Sequence, residues 1–416
     1  MGQEKKRPEL LLPAGNREKM EYAIQYGADA VYLGMVDFSL RAMRKGELVT
    51  KENLKDCISL AHKYGKKVYL TINIFAYNND IEQLIEEAEI IKDSKPDAII
   101  LSDFGIYRVL RKYMSEIPVH ISTQTNILNY EAVKFWQDLG AQRVILSRDL
   151  SLEQIREIRE KCPDIELEVF VHGAQCVSFS GRCLISDYMT GGERKANHGN
   201  CSQPCRWSYK LLEETRPNEY YEINENERGT HILSPKDLAL INYLPKLIDI
   251  GIDSFKIEGR TKSLYYVSAV AKAYRNAIDD YIERGEVREE ENYNEIIKIG
   301  NRGYTTGFYL NPKGTDGYSY DISKGLAGAD FLCIFLEEKD GMYKVETKNK
   351  IILGDEIEVI SPKEKFVANV TKIISTKTGE EADLSNTNDI SWLELSQKPK
   401  DYRFALARTV GVKNLR

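Results

Sequence analysis

A chain of 416 residues, with 42% of its side chains apolar and 29% charged, can bury a core large enough for two domains and is neither disordered nor fibrous. Its formal net charge of -6 argues against a generic, charge-driven grip on nucleic acid, which needs a surplus of Lys and Arg at the contact surface. Local basic stretches remain at Arg41, Arg44 and Lys45 and at Arg194, Lys195, Arg206 and Lys210, each by default a solvated face.

The opening Met1-Gly2-Gln3-Glu4-Lys5-Lys6-Arg7-Pro8 is followed by no apolar segment longer than Leu10-Leu11-Leu12. That is too short for a signal peptide or a membrane helix, so a soluble, cytoplasmic protein with no membrane partner is expected. Onward from residue 9, β-branched runs alternate with amphipathic stretches. The pattern predicts strands at Leu10-Pro13, Ala30-Gly34, Lys67-Asn73, Ala98-Asp103, Val119-Gln124, Arg143-Arg148, Leu167-His172, His231-Ser234 and Ser254-Glu258. Between them fall helical patterns such as Arg17-Tyr26, Asn53-Tyr64, Ile81-Asp93, Tyr130-Leu139 and Leu152-Lys161. Junctions such as Gly27-Ala28-Asp29-Ala30-Val31-Tyr32-Leu33-Gly34 and Gly251-Ile252-Asp253-Ser254-Phe255-Lys256-Ile257-Glu258 repeat a helix stop followed by a buried strand. This repetition favours an α/β fold closed as a TIM-like (β/α) barrel over an open sheet. Nine strand candidates exceed the eight places of such a barrel, and His231-Ser234, after the least regular segment, is expected to be the extra one.

The barrel domain is therefore assigned to residues 1–285, with an irregular, Gly- and Pro-bearing insertion at 173–230. A polar linker is expected over 286–325. From 326 to 416, alternating runs such as Tyr343-Thr347, Glu356-Ile360 and Ala368-Ile374, with turns like Lys339-Asp340-Gly341, describe a small antiparallel β-domain suited to an RNA or partner platform.

Three of the seven cysteines, Cys57, Cys162 and Cys333, sit in apolar or helical contexts and read as core filler. Cys176, Cys183, Cys201 and Cys205 instead cluster within the insertion. In a reducing compartment such a cluster reads as a metal or cluster site before it reads as disulfides. Four thiols without short pairing suit an iron-sulfur cluster, while Cys201, Cys205 and nearby His198 keep a zinc site open. The insertion leaves from the carboxyl end of a strand, where barrel enzymes carry their chemistry. Neighbouring strand ends bring Asn73, Asp103, Gln124, Arg148, His172, Lys256, Glu258 and Arg260 to the same face. No H-E-x-x-H, G-x-S-x-G or P-loop spacing is present, and Ser180 has no identifiable base.

Glu168-x-Phe170-x-x-Gly173-Ala174-x-Cys176-x4-Gly181-x-Cys183-x-x-Ser186 resembles the signature of peptidase family U32, the collagenase-like proteins. The opening Glu9-Leu10-Leu11-Leu12-Pro13-Ala14-Gly15 and Phe255-Lys256-Ile257-Glu258-Gly259-Arg260-Thr261-Lys262-Ser263 are similar to it too, and the resemblance spans essentially the whole chain. Ser122-Thr123-Gln124-Thr125-Asn126, Ile145-Leu146-Ser147-Arg148-Asp149 and Asn200-Cys201-x3-Cys205-Arg206-Trp207 are closest to the branch that hydroxylates tRNA. The resemblance implies an oxygen-independent hydroxylase that forms 5-hydroxyuridine at the wobble position of the anticodon loop, with prephenate as hydroxyl source. It further implies a 4Fe-4S cluster on Cys176, Cys183, Cys201 and Cys205.

Since prephenate is a dianion, Arg148, Lys256 and Arg260 are the expected carboxylate-binding cations, with Gln124 and Arg206 also facing substrate. His172 and Glu258 are the expected proton-transfer residues. An accessory electron-transfer protein is a further partner to look for. Three alternatives stay open. One is the peptidase of the family label, another a hydroxylase of ribosomal RNA or of a quinone precursor, and the last a non-catalytic binding protein stapled by zinc.

Overall fold

In the computed structural model, the structure describes residues 5–35, 38–39, 49–176, 178–179, 182–194, 196–198, 201–207, 224–226, 229–231, 235–310 and 326–412. The basic stretch Arg41, Arg44 and Lys45 lies outside them, as do Lys195 and Lys210.

Seven strands follow one another with helices between: β1 (Glu9–Pro13), β2 (Ala30–Gly34), β3 (Lys67–Ile72), β4 (Ala98–Leu101), β5 (Val119–Ile121), β6 (Arg143–Ile145) and β7 (Glu166–Ala174). After a short hairpin, β8 (Asn224–Asn226) and β9 (Gly229–His231), come β10 (Asp237–Ala239) and β11 (Ser254–Ile257). β1 to β7 run parallel in chain order, and β11 pairs in parallel with both β7 and β1, so eight strands close a barrel. Runs such as Leu10-Leu11-Leu12 and Ala98-Ile99-Ile100-Leu101 are buried throughout, as strands covered on both faces must be.

The ninth candidate stays out of the ring. His231 closes the β8–β9 hairpin, and residues 232–234 lie outside the described residues. The additional strand is β10, which the sequence reading did not mark. It runs antiparallel to the end of β7 and parallel to β12 (Tyr304–Thr305).

Helices α1 (Arg17–Gln25), α2 (Leu54–Lys63), α3 (Asn78–Ser94), α4 (Phe104–Tyr113), α5 (Tyr130–Asp138) and α6 (Leu152–Lys161) form the outer layer. Most start on a capping residue at the barrel's carboxyl end. Asn16, Asp103, Asn129 and Ser151 each accept from a backbone amide one turn ahead, satisfying donors a helix start leaves open. Thus Asp103, one of the strand-end polar residues, is occupied as the cap of α4. α7 (Ile185–Met189) lies in the insertion, and α8 (Leu244–Ile250) and α9 (Leu264–Asp279) complete the wrap.

Of residues 286–325, expected as linker, the described part, 286–310, contains α10 (Glu289–Ile297) and β12 and so extends the barrel domain. Beyond it, β13 (Phe331–Lys339), β14 (Met342–Thr347), β16 (Glu356–Ile360), β17 (Lys365–Ser375), β19 (Ile390–Leu395) and β20 (Leu406–Thr409) close a second, antiparallel barrel. β15 (Ile351–Ile352) and β18 (Leu384–Ser385) pair beside it. Asp340 and Gly341, at φ 53° and 79°, make the left-handed two-residue turn that the Asp-Gly step predicts between β13 and β14.

The two barrels meet over a shared apolar contact, where Ile334, Ile360 and Leu406 join the main core. Beside it the fully buried Arg408 binds Glu358 at 2.5 Å and Glu295 at 2.6 Å, and Lys298 reaches Glu358 at 3.1 Å.

Candidate active site

Alternation along β7 and β11 turns Glu168, Phe170, Lys256 and Glu258 toward the barrel axis. At the centre, the fully buried Glu168 carboxylate accepts from Lys256 Nζ at 2.9 Å and from Arg143 Nη1 at 3.0 Å. Burial alone would raise the Glu168 pKa, but the two cations outweigh it and hold the carboxyl below its usual range. Lys256 is pulled below the ordinary lysine range by burial, against the attraction of Glu168. Below them Arg143 also binds Glu9 at 2.6 Å and Glu166 at 2.7 Å, and Tyr69 donates to Glu9 at 2.6 Å. A column of charge therefore fills the lower barrel, and Lys256 forms its top, its ammonium 4.7 Å from the Tyr32 ring.

Above Lys256 the mouth is polar. Arg260, nearly buried, donates to Ser39 and, at 3.0 Å, to Thr71 Oγ1. Gly34 makes room for it, since a Cβ there would stand 2.6 Å from Arg260 Nη1 and 2.4 Å from Ser39 Oγ. Arg148 lies across the Phe170 ring at 4.8 Å and donates to the Ala174 carbonyl at 2.7 Å. Gln124 sits in a 3-10 turn and accepts from Ser102 at 3.0 Å. Glu258, Arg260, Arg148 and Gln124 thus belong to one barrel end, with Lys256 beneath them against Glu168.

His172 does not join them. Val171 is an extra residue of β7 between the pairs Lys256↔Phe170 and Ile257↔His172, and such a bulge re-aims the side chain that follows. The imidazole lies among Tyr266, Tyr274 and Tyr304, with Nδ1 3.2 Å from Tyr274 Oη. Burial, with a smaller push from Lys262, drops its pKa to about 3. It is a neutral ring wedged under α9, and the proton-transfer role expected of it does not fit this position. Gly173, at φ 108°, follows the bulge, and a Cβ there would meet the Glu258 carbonyl at 2.3 Å.

The insertion is fastened at this rim. Ser186 Oγ donates to the Arg194 carbonyl at 2.7 Å and accepts from Ser202 N at 2.9 Å, tying the chain around Cys183 to the chain around Cys201. Asn197 then clamps the loop to the far side, its amide exchanging two 2.8 Å hydrogen bonds with the backbone of Phe75 beyond β3. Neither Ser186 nor Asn197 was singled out for this in the sequence; a lone Asn in an irregular loop carries no periodic signal.

Cys176 and Cys201 are exposed, Cys183 and Cys205 half-buried, and none of the four is in a disulfide. Their number and softness fit an iron-sulfur cluster. Among the described residues, however, no three His, Cys, Asp or Glu side chains stand close enough to share an ion. Cluster binding would therefore have to draw the loop together, the usual coupling between thiolate ligation and local folding. Arg206 shares the 3-10 turn of Cys205, and its side chain lies outside what is described. Cys57, Cys162 and Cys333 are buried, and burial raises each thiol pKa.

The model of peptidase family U32 matches residues 15–318, and that of the family's C-terminal domain matches 328–405. The chain belongs to peptidase family U32. Among U32 proteins it is 37% identical to tRNA hydroxylation protein P of Haemophilus influenzae, over 89% of each chain. It is 39% identical to tRNA hydroxylation protein P1 of Bacillus subtilis, over 91% of this chain and 89% of that one. A 23S rRNA 5-hydroxycytidine synthase of Escherichia coli is 34% identical over 90% of this chain and 55% of its own length. No helix among the described residues is long and apolar enough to cross a membrane.

Proposed function

We propose that this chain is an RNA hydroxylase, forming 5-hydroxyuridine at the wobble position of tRNA with prephenate as hydroxyl source and without oxygen. The observation that carries the reading is the match along nearly the whole chain to relatives named for tRNA hydroxylation. The mouth supports it chemically. Arg260 and Arg148 are the cations for a dicarboxylate donor, each able to address a carboxylate through parallel hydrogen bonds. Lys256 lies beneath them, its charge balanced from below by Glu168. Glu258 is the carboxylate left to move a proton at the reacting carbon. Cys176, Cys183, Cys201 and Cys205 are the residues to hold a 4Fe-4S cluster, which when bound would supply an electron relay or a Lewis acid.

A peptidase reading needs an activated nucleophile. Among the described side chains, His62 pairs with Asp97 on the surface, His120 packs on Tyr69 inside the barrel and His172 lies among tyrosines. None of the three stands beside an exposed Ser or Cys that it could activate.

The test is complementation. In a strain lacking its own wobble hydroxylases, the chain should restore 5-hydroxyuridine in tRNA digests read by mass spectrometry, and Cys201→Ser should not. Protein purified without oxygen should carry iron and sulfide at about four each per chain. Cleavage of casein or gelatin that survives in Cys201→Ser, with tRNA left unmodified, would overturn the proposal in favour of proteolysis. Restoration of a ribosomal RNA mark in place of the tRNA one would change the substrate alone.

A further inference from the structure

Outside the mouth, between α4 and α5, an aromatic groove of about 340 Å³ opens at the barrel rim. Phe104 and Phe135 line it with 62% and 50% of their surface exposed, an unusual setting for two phenylalanines on neighbouring helices. Phe104 lies parallel to the buried Trp136, with centroids 5.1 Å apart and 11° between planes, so its ring is held as a flat shelf. Packing fixes the shelf, and one face of it is already covered by Trp136.

The rest of the lining is not that of a protein-core remnant. Asn126 and Asn129 add polar edges, held in place as Asn126 Nδ2 donates to the Gln124 carbonyl and Asn129 Oδ1 caps α5. Arg182 reaches in from the insertion, 5.8 Å over the Phe75 ring and next in sequence to Cys183. The groove also shares a wall with the mouth, because Ser102 lines it while donating to Gln124. A flat aromatic ring, a guanidinium and amide edges are the elements with which proteins hold an unstacked base beside a phosphate.

We infer that this groove receives a nucleobase of single-stranded RNA next to the nucleotide presented at the mouth. The inference rests on the RNA reading above and assigns the part of the surface that would position the strand. The base stacks on Phe104, Arg182 meets the backbone phosphate and the asparagines meet base edges. Phe104 and Phe135 are positioning residues in this scheme, remote from the reacting atoms.

The experiment uses the full chain and a fluorescein-labelled, unmodified anticodon stem-loop RNA. Phe104→Ala/Phe135→Ala should bind the probe about tenfold or more weakly, the scale of losing one stacked base. Far-UV circular dichroism and thermal midpoint should be unchanged, and Phe104→Trp should restore affinity. A stem-loop carrying 5-iodouridine beside the wobble position should photocrosslink to a peptide containing Phe104 or Phe135. RNA binding by the parent chain that survives the double substitution, or crosslinks confined to the antiparallel barrel, would overturn the groove and leave the RNA reading standing. Absence of RNA binding by the parent chain would overturn both. Self-association lost on the double substitution, without RNA binding, would mark the groove instead as a contact between copies.

Discussion

The two barrels of this chain are closed sheets of similar apolar composition, and they fill their interiors in opposite ways. Among the described residues the antiparallel barrel holds no ion pair inside, packed with Leu332, Phe335, Val345, Ile357 and Leu393, and its buried ions Glu358 and Arg408 pair with each other and with Lys298 and Glu295 of the neighbouring domain. The parallel barrel carries Glu9, Arg143, Glu168 and Lys256 inside. Buried ion pairs are a poor way to gain stability, because desolvation can exceed their attraction. Both barrels accept that cost, the antiparallel one at its contact with the neighbouring domain and the parallel one in its interior beneath a polar mouth, so the position of the charges separates a scaffold from a site.

Breaking the charge column should have the largest effect. Glu168→Gln takes from Lys256 the carboxylate it is bonded to, while Arg143 keeps Glu9 and Glu166, and urea denaturation should show a loss of about 3–5 kcal/mol, the usual range for stranding one partner of a buried pair. A loss within experimental error would mean that the column bears no weight, and the comparison would fail.

Acid should then sharpen the contrast. The folded pKa of His172 is about 3, against an ordinary value of 6.5. The unfolded chain therefore binds the proton first, and stability must fall as pH drops below 6.5 toward 3. Between pH 6.5 and 4.5 this single ring accounts for about 2 to 3 kcal/mol. His172→Phe should flatten the stability profile in that window, while an unchanged profile would show that the imidazole is solvated. The smallest effect belongs to the antiparallel barrel. Ile357→Val should cost about 0.5–1.5 kcal/mol in the same denaturation assay and leave the proposed RNA hydroxylation as it was; a drop in hydroxylation would give that barrel a part in the chemistry.

The eight strands of the first barrel were legible because their junctions repeat, and the Asp340-Gly341 turn because its chemistry allows little else. β10 was not, since three residues, Asp237 to Ala239, leave no period to read. α10 hid behind Glu289-Glu290-Glu291, which reads as polar linker, yet acidic residues suit the first turn of a helix, and only Asn292 and Ile296 are fully buried along it.

The site was half legible. Period-two alternation places Lys256, Glu258 and Arg260 on one face but says nothing about depth, so Lys256 read as a mouth residue although it lies against Glu168. The charges in Leu167-Glu168-Val169-Phe170-Val171 were the available signal, because a carboxylate inside a strand buried on both faces must find a cation. His172 went astray because one inserted residue reverses alternation, and no sequence pattern marked Val171 as that residue.

The clamp of Asn197 on Phe75 has a consequence for the rim. In a ring of eight strands, β3 and β7 lie diametrically opposite, so an insertion that departs from β7 and fastens beyond β3 ties together two opposite points of the rim. Ser102, Gln124 and the aromatic groove lie at the β4, β5 and β6 side of the rim, and Arg260 and Gly34 at the β11, β1 and β2 side. Opening that tie would release the insertion from the β3 side of the rim without breaking a single strand pairing.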